Sequence, residues 1–424
     1  MRMNKKEKTA LVPRLRFPEF LSKGEWKIST LSNLASKITV RNQDNLINRV
    51  LTNSAVEGVV DQSDYFNREV ANQNNLENYF VIDEGEYVYN PRISVTAPVG
   101  PICKNKVGRG VMSPLYTVFR FENPNNDFYE QYFKTNRWHA YLKSVSNTGA
   151  RHDRMSISNG NFMKMPLPYP SEGEQQKIAE CLSSLDGLIN AEDNKLEALK
   201  AYKKGLMQKL FPTEGNTIPE WRFPEFRGNG EWTKKTLGQL GELVSGLTYS
   251  PDDIRETGLL VLRSSNIKNR VIALNDNVYV KTAIGGANLS LENDILICVR
   301  NGSKALIGKN AIIPKNLPLC TPGAFMTIFR TEFPQFVFQL LQSAAYEKQV
   351  KADLGATINS INVTQLKKYV FCIPKDQKEQ QKIAECLSVL DVLITAQAEK
   401  IEALQAHKKG LMQGLFPSIE EVSE

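Results

Sequence analysis

Glu174–Pro212 reads EQQKIAECLSSLDGLINAEDNKLEALKAYKKGLMQKLFP, and Glu379–Pro417 reads EQQKIAECLSVLDVLITAQAEKIEALQAHKKGLMQGLFP. The two segments are identical at 29 of 39 positions and lie 205 residues apart. A second repeat, RFPEF, begins at Arg16 and recurs at Arg222, and a GEW follows each copy. Repeats of this kind are typical of a duplicated chain. The order is therefore variable part, near-constant segment, variable part, near-constant segment.

Both near-constant segments carry apolar residues at alternating steps of four and three. This 3.5-residue repeat is typical of a coiled coil, whereas a helix packed on a globular core would favour a broader apolar stripe. Glu192 and Lys203 interrupt the first seam, and Gln397 and Lys408 interrupt the second. Each segment ends at Leu-Phe-Pro, where proline cannot continue a helix. The predicted seam consists of Ile178, Leu182, Leu185, Ile189, Leu196, Leu199, Leu206, Leu210, Ile383, Leu387, Leu390, Ile394, Ile401, Leu404, Leu411 and Leu415.

The variable parts contain short β-rich runs, such as the one that begins at Ile295, split by Gly, Asn and Pro and followed by helical stretches. We therefore predict a mixed α+β protein with two globular α/β heads and a two-helix antiparallel coiled coil between them. Each helix of ~37 residues would span about 55 Å, so antiparallel pairing avoids a long return connection. The predicted segments are head one (1–173), helix one (174–212), head two (213–378), helix two (379–417) and a tail (418–424).

Length, composition and charge limit the classes of protein to which this chain can belong. The chain has 424 residues and no apolar run of eighteen, and its basic start lacks an apolar signal core, so we expect a cytoplasmic protein without a membrane span. Because the chain carries +7 and the two near-constant segments carry 0 and −1, the remaining sequence carries +8. A positive excess in the heads is a weak indication of a polyanionic partner. The six cysteines form no C-x-x-C pair and the three histidines are far apart, so no metal site is expected.

The alternation of heads and segments, the EQQKIA starts, the KKGLMQ-x-LFP ends and the RFPEF…GEW openings resemble the specificity subunit of type I restriction–modification enzymes. The resemblance covers essentially the whole chain. It implies that each head is a target recognition domain for one half of a split, asymmetric site in double-stranded DNA. It also implies that the helices set the spacer and dock two methyltransferase subunits, and that restriction subunits can join.

No catalytic residues are expected in this chain. Asn90-Pro91 is followed by Arg92, which is not the Asn-Pro-Pro-Tyr motif that holds a flipped adenine. No Gly-rich cofactor motif and no phosphate-cradling G-x-x-x-x-G-K is present. The resemblance implies that S-adenosylmethionine, ATP and Mg belong to partner subunits, so the chain is expected to hold no cofactor of its own.

Candidate DNA-contacting residues lie in loops at matching places in the two halves. Glu86–Arg92 aligns with Asp294–Arg300, so both aligned strands end at an arginine. Arg and Lys suit phosphates and guanine, whereas Asn and Ser suit adenine and mixed base edges. For each residue the alternative is a solvated surface group. The candidates are Asn53, Ser54, Arg92, Lys104, Lys106, Arg109, Arg151, Arg154, Arg263, Ser264, Asn266, Lys268, Arg300, Asn301, Ser303, Lys304, Lys309 and Asn359.

Two other functions remain open from the residues alone. A coiled-coil adaptor joining two protein partners would not require excess positive charge in the heads. A stand-alone modification enzyme would require the cofactor and catalytic motifs that the sequence lacks.

Overall fold

The computed structural model describes residues 11–65, 76–146, 153–354 and 359–419. The chain forms two compact units: Met1–Ala191 together with Glu402–Glu424, and Glu192–Ile401. Each unit therefore combines one head with a part of each near-constant segment. The five-segment division of the sequence stays a prediction.

The first head precedes the long helix α6 (Glu172–Leu210). Its strands are β1 (Lys27–Thr30), β2 (Ala35–Lys37), β3 (Leu51–Ser54), β4 (Gly58–Asp61), β5 (Phe80–Ile82), β6 (Tyr87–Tyr89), β7 (Ile102–Lys104), β8 (Gly110–Met112), β9 (Thr117–Phe121) and β10 (Pro166–Tyr169). Its helices are α1 (Leu31–Leu34), α2 (Gln62–Tyr65), α3 (Asp127–Phe133), α4 (His139–Val145) and α5 (Asn159–Met163).

The second head precedes the long helix α11 (Gln377–Leu415). Its strands are β11 (Thr233–Thr236), β12 (Glu242–Ser245), β13 (Ile254–Arg255), β14 (Leu259–Leu262), β15 (Ile267–Lys268), β16 (Val271–Ile272), β17 (Val278–Val280), β18 (Ile295–Cys298), β19 (Asn310–Ile312), β20 (Cys320–Pro322), β21 (Met326–Arg330) and β22 (Val370–Ile373). Its helices are α7 (Leu237–Leu240), α8 (Pro334–Leu340), α9 (Ala344–Asp353) and α10 (Val363–Leu366).

The duplication extends to the order of strands in the main sheet. Head one contains a four-stranded sheet in the order β2-β9-β6-β7, and head two contains one in the order β12-β21-β18-β19. In both heads the strand pair that opens and closes the head is antiparallel, β1 with β10 and β11 with β22. The mixed α/β class and the internal duplication predicted from the sequence are confirmed.

The two long helices each begin and end two residues before the predicted bounds. A proline restricts the residue before it to extended backbone, so Phe211 before Pro212, and Phe416 before Pro417, cannot continue the helix. All sixteen predicted seam residues are buried or half-buried. The 3.5-residue pattern thus identifies the faces that are removed from water.

Within each unit the two helical segments run antiparallel. In the first unit Asp186 of α6 binds Lys408 of α11, and Ile178 shares a hydrophobic cluster with Leu415. In the second unit Glu192 contacts Gln397, and Lys203 contacts Asp391. As the α6 partner advances along the chain, its α11 partner recedes, which is the antiparallel arrangement.

Candidate nucleic-acid interface

The central strands β6 and β18 carry the matched arginines to the protein surface. β6 is buried along its length and leads through Asn90 and Pro91 to the exposed Arg92. β18 is likewise buried and leads to the exposed Arg300. A buried strand fixes the backbone, so each loop that follows starts from a rigid edge.

A second candidate loop pairs with this one in both heads. The backbone of Arg92 forms a single antiparallel β-bridge with that of Arg154, and the backbone of Arg300 forms one with that of Ser360. In head two the backbone N–H of Asn301 also donates to the carbonyl oxygen of Asn359 (3.4 Å). The structure thus joins loops that lie about sixty residues apart in each half.

The third candidate loop is tied to the same place by an asparagine side chain. In head one, Asn90 donates through Nδ2 to the carbonyl oxygen of Asn53 (2.9 Å). In head two, Asn301 donates through Nδ2 to the hydroxyl oxygen of Ser264 (2.8 Å). Three segments that are distant in the chain therefore converge in each head, although in head one the third is the end of strand β3 and not a loop. Sequence spacing alone does not show this convergence.

Three candidates do not face solvent at this cluster. Asn53 is buried and donates to the carbonyl oxygen of Val88 (2.8 Å), and the buried Ser54 hydroxyl accepts hydrogen bonds from the β3–β4 turn. Asn266 is fully buried and donates to the carbonyl oxygen of Ala273 (2.9 Å). We correct the interpretation of these three polar side chains, because they are buried and hydrogen-bonded to backbone groups and are therefore withdrawn from a DNA surface.

Three head-one cations lie at the other end of the central strand pair. Because β6 and β7 are antiparallel, with Tyr87 opposite Lys104, the β7 exit lies away from Arg92. The candidates there bind carboxylates instead: Lys104 binds Asp127 (2.6 Å), Lys106 binds Glu130 (2.7 Å) and Arg109 binds Asp83 (3.6 Å). They do not belong to the converging loops.

The remaining candidates differ in their hydrogen-bond and ion-pair partners and in their exposure. Arg263 binds Asp276 (2.9 Å), and Arg154 lies 3.7 Å from Asp153. Asn359 donates to the carbonyl oxygen of Gly302 (3.2 Å). Lys268, Ser303, Lys304 and Lys309 are exposed. Arg151 lies outside the described residues.

One residue at the head-two loops was missed by the sequence reasoning. Phe325 is 53% exposed, and the Arg300 guanidinium lies 5.7 Å from its ring centroid. An exposed aromatic ring beside an arginine offers a stacking surface for a base. The sequence feature that could have identified Phe325 is its place as an aromatic residue between Gly323-Ala324 and the first residue of β21.

The repeated RFPEF and EQQK motifs bind each other. Arg16 forms two hydrogen bonds of 2.7 and 2.8 Å with Glu174, and Arg222 forms two of 2.7 Å with Glu379. All four side chains are less than 10% exposed. Two parallel bonds between a guanidinium and a carboxylate fix orientation as well as distance. We call this arrangement the clamp. In each half of the chain it holds the RFPEF segment, at the start of the head, against the start of the long helix that follows the head.

The polar residues that interrupt the seam form matched contacts between the helices. Asp391 accepts from Lys203 (2.5 Å) and from Gln339 of α8 (2.7 Å). In the first unit Asp186 accepts from Lys408 and from Gln131 of α3 (3.2 Å). Each aspartate therefore joins both helical segments and a head helix.

The pKa values of these groups reflect burial opposed by pairing. Burial lowers the pKa of Lys203 and Lys408, and the paired aspartate opposes the shift in each case. Burial alone would raise the pKa of Asp186, but hydrogen bonds and the charges of Lys408 and Lys134 hold it below its ordinary value.

Two features of the described residues concern metal binding and thiol reactivity. They contain no cluster of three or more His, Cys, Asp or Glu that could hold a metal ion. Burial raises the pKa of Cys103 and of Cys298 to about 11, so neither thiol is activated as a nucleophile. In the part of the chain that the structure describes, no helix is long and apolar enough to cross a membrane.

The type I restriction modification DNA specificity domain matches this chain twice, over residues 23–201 and 229–406. The chain belongs to that family. The specificity subunit is 26% identical over 340 residues to the type I restriction enzyme MjaVIII specificity subunit of Methanocaldococcus jannaschii, covering 73% of this chain and 74% of that one. It is 27% identical over 195 residues to the EcoKI specificity subunit of Escherichia coli, covering 44% of this chain and 41% of that one.

Solved structures share the fold of the specificity subunit. The S subunit of a type I restriction–modification system from M. genitalium aligns with a TM-score of 0.61 at 14% identity, covering 96% of this chain and 100% of that one. A chain from a study of complex assembly and conformational transition of the type I R-M system aligns with a TM-score of 0.54 at 15% identity, covering 92% and 97%. The protein is a DNA sequence-specificity subunit, and the comparisons give no support to a coiled-coil adaptor.

Proposed function

We propose that each head of this specificity subunit reads one half of a split, non-palindromic DNA site, and that the long helices set the spacer and dock two methyltransferase subunits. The observation that carries the proposal is the converging loops, which place Arg92 and Arg300 at matching exposed positions of two otherwise diverged heads. An exposed arginine can contact phosphates or bind guanine through two hydrogen bonds. Different loops around a shared frame predict two different half-sites.

In this proposal the chain supplies recognition and the partners supply chemistry. S-adenosylmethionine belongs to the methyltransferase subunits, and ATP and Mg belong to restriction subunits that can join. The cytoplasm, where the DNA is, is the expected location of the assembly.

Mapping methylated adenines in DNA modified by this chain and its methyltransferase partner tests the proposal. We expect a two-part motif with different half-sites and a fixed spacer. A chain whose second head is replaced by a copy of its first is the matched control, and its motif should become a symmetric pair of head-one half-sites. A continuous motif, or a control that retains the parent motif, would contradict the assignment of one half-site to each head.

A further inference from the structure

The first unit contains a cavity of about 440 Å³ beside the turn that joins α3 to α4. Four cationic residues line it, Lys134 and Arg137 from the turn and Lys408 and Lys409 from α11, against a single carboxylate, Asp186. The proposed function gives this cavity no role. Its excess of positive charge indicates an anionic ligand.

Two of the four cations form ion pairs with carboxylates and two do not. Lys134 binds Asp186 (3.1 Å) and Glu130 (3.4 Å), and Lys408 binds Asp186. Arg137 donates through one terminal nitrogen to the carbonyl oxygen of Gln413 (3.2 Å). Neither Arg137 nor Lys409 forms an ion pair with any residue that the structure describes. Two positive charges are therefore available to a ligand.

The rest of the lining combines apolar and amide groups. Ile189 is buried and Met412 is half-buried, so together they offer an apolar surface. Asn136, Gln405 and Gln413 add side-chain amides. A flat aromatic base can lie on apolar side chains while amides bind its edge, and guanidinium and ammonium groups suit phosphate oxygens. The volume is within the range of small-molecule sites.

The second unit shares most of the helical contribution to this lining, with Lys200 at the position of Gln405, but not that of the turn. Lys203, Lys204 and Asp391 occupy the equivalent helical positions in the repeat. After the matched glutamines Gln131 and Gln339, however, the positions of Lys134 and Arg137 are held by Gln342 and Ala345. The two cations of the turn are therefore contributed by the first head alone, whereas the two lysines of α11 have equivalents in the second unit.

We propose that this cavity binds a nucleoside phosphate, with Arg137 and Lys409 holding the phosphate groups. A free nucleotide and a nucleotide of a nucleic-acid strand present the same chemistry. The site is distinct from the converging loops and does not depend on how the heads read DNA.

Calorimetric titration of the full chain with ADP at low ionic strength tests the proposal. We expect one site per chain, no comparable binding of adenosine, and at least about tenfold weaker binding by Arg137→Ala and by Lys409→Ala, because each removes a charge-assisted contact. Lys204→Ala changes the equivalent of Lys409 in the second unit and should bind like the parent. Absence of ADP binding at millimolar concentration, equal binding of adenosine, or parental affinity in both cavity variants would overturn the proposal.

A gain of binding provides an independent test. Gln342→Lys combined with Ala345→Arg supplies the missing cations to the second unit and should raise the stoichiometry to two, whereas a stoichiometry of one would refute the assigned roles. Circular dichroism verifies that each variant is folded. A short single-stranded oligonucleotide that displaces ADP would identify nucleic acid as the source, and failure to displace it would identify a free nucleotide; either result supports the site.

Discussion

Arg92 and Arg300 occupy the same point of the repeated frame, but their surroundings differ. Arg300 lies over the ring of Phe325, whereas Arg92 is bridged to the backbone of Arg154. Both side chains are exposed, so neither is needed to complete a hydrophobic core. Replacing either one should therefore change DNA recognition more than folding.

We expect Arg300→Ala to weaken the half-site of head two, and Arg92→Ala that of head one. A lost base contact costs ~1–3 kcal/mol and relaxes specificity at one position, whereas a lost phosphate contact weakens all sequences alike. Binding of the assembled complex to duplexes with single changes in each half-site, at physiological salt, distinguishes the two. Lys235→Ala, an exposed cation on β11, is the control. Parental binding by both arginine variants would show that these residues do not touch DNA.

The clamp is the other residue-scale feature, and it concerns stability. The Arg222 side chain is 8% exposed and that of Glu379 is 0% exposed, so water does not stabilise either charge and each is stabilised by its partner. Removing one partner of a buried ion pair leaves an uncompensated charge, which typically costs about 3–5 kcal/mol.

We therefore expect Glu379→Ala to destabilise the second unit by ~3–5 kcal/mol. Urea denaturation gives the change, and hydrogen exchange assigns it to Glu192–Ile401. Glu385→Ala, an exposed change on the same helix, should lie within about 0.5 kcal/mol of the parent. A Glu379→Ala protein as stable as this control would mean that the clamp contributes no stability.

At the scale of the helices, the polar interruptions of the seam specify how α6 and α11 pair. Glu192 and Gln397 are equivalent positions of the repeat and contact each other (2.7 Å). Asp186–Lys408 and Lys203–Asp391 are also related by the repeat. A polar group in a coiled-coil seam selects one register, because any other leaves it buried without a partner.

Four residues inserted after Ala191, with four more after the equivalent Ala396, should preserve the Asp186–Lys408 and Lys203–Asp391 pairs. The helices would lengthen by about 6 Å and turn ~40° beyond a full turn. DNA rises ~3.4 Å per base pair, so we expect unchanged half-sites and a spacer longer by one or two base pairs. Methylation mapping is the measurement. Paired two-residue insertions rotate the seam by ~200° and should abolish assembly. An unchanged spacer in the four-residue variant would exclude the helices as the ruler.

At the scale of the whole molecule, the duplication predicts two docking surfaces for one kind of partner. The surfaces are similar but not identical. Ser184 and Gly187 of α6 correspond to Val389 and Val392 of α11, and both valines are more than half exposed. Exposed apolar area on an otherwise polar helix face favours association.

We expect native mass spectrometry to show two methyltransferase subunits per chain, bound with unequal affinity. The surface with the valines should fill first, because it buries more apolar area. Val389→Ser combined with Val392→Gly should bring the two affinities together. A complex that stays one-to-one at saturating partner would contradict the two-surface hypothesis.

The sequence by itself determined the duplication, the two long helices and their buried faces. These features follow from local rules: identical segments adopt the same structure, a 3.5-residue apolar period marks one face, and Phe-Pro ends a helix. The polar interruptions at Lys203 and Lys408 were also visible in the sequence, although their partners were not.

Only the tertiary structure decided which polar side chains face solvent at the loops. Asn53 and Asn266 resemble adenine-reading residues in the sequence, yet both are buried and donate to backbone carbonyl groups. Lys104 follows Arg92 closely in the chain, but the antiparallel pairing of β6 and β7 places it at the opposite strand end. The direction and hydrogen-bond partners of a side chain depend on backbone that folding brings from distant positions, and no local pattern contains that information.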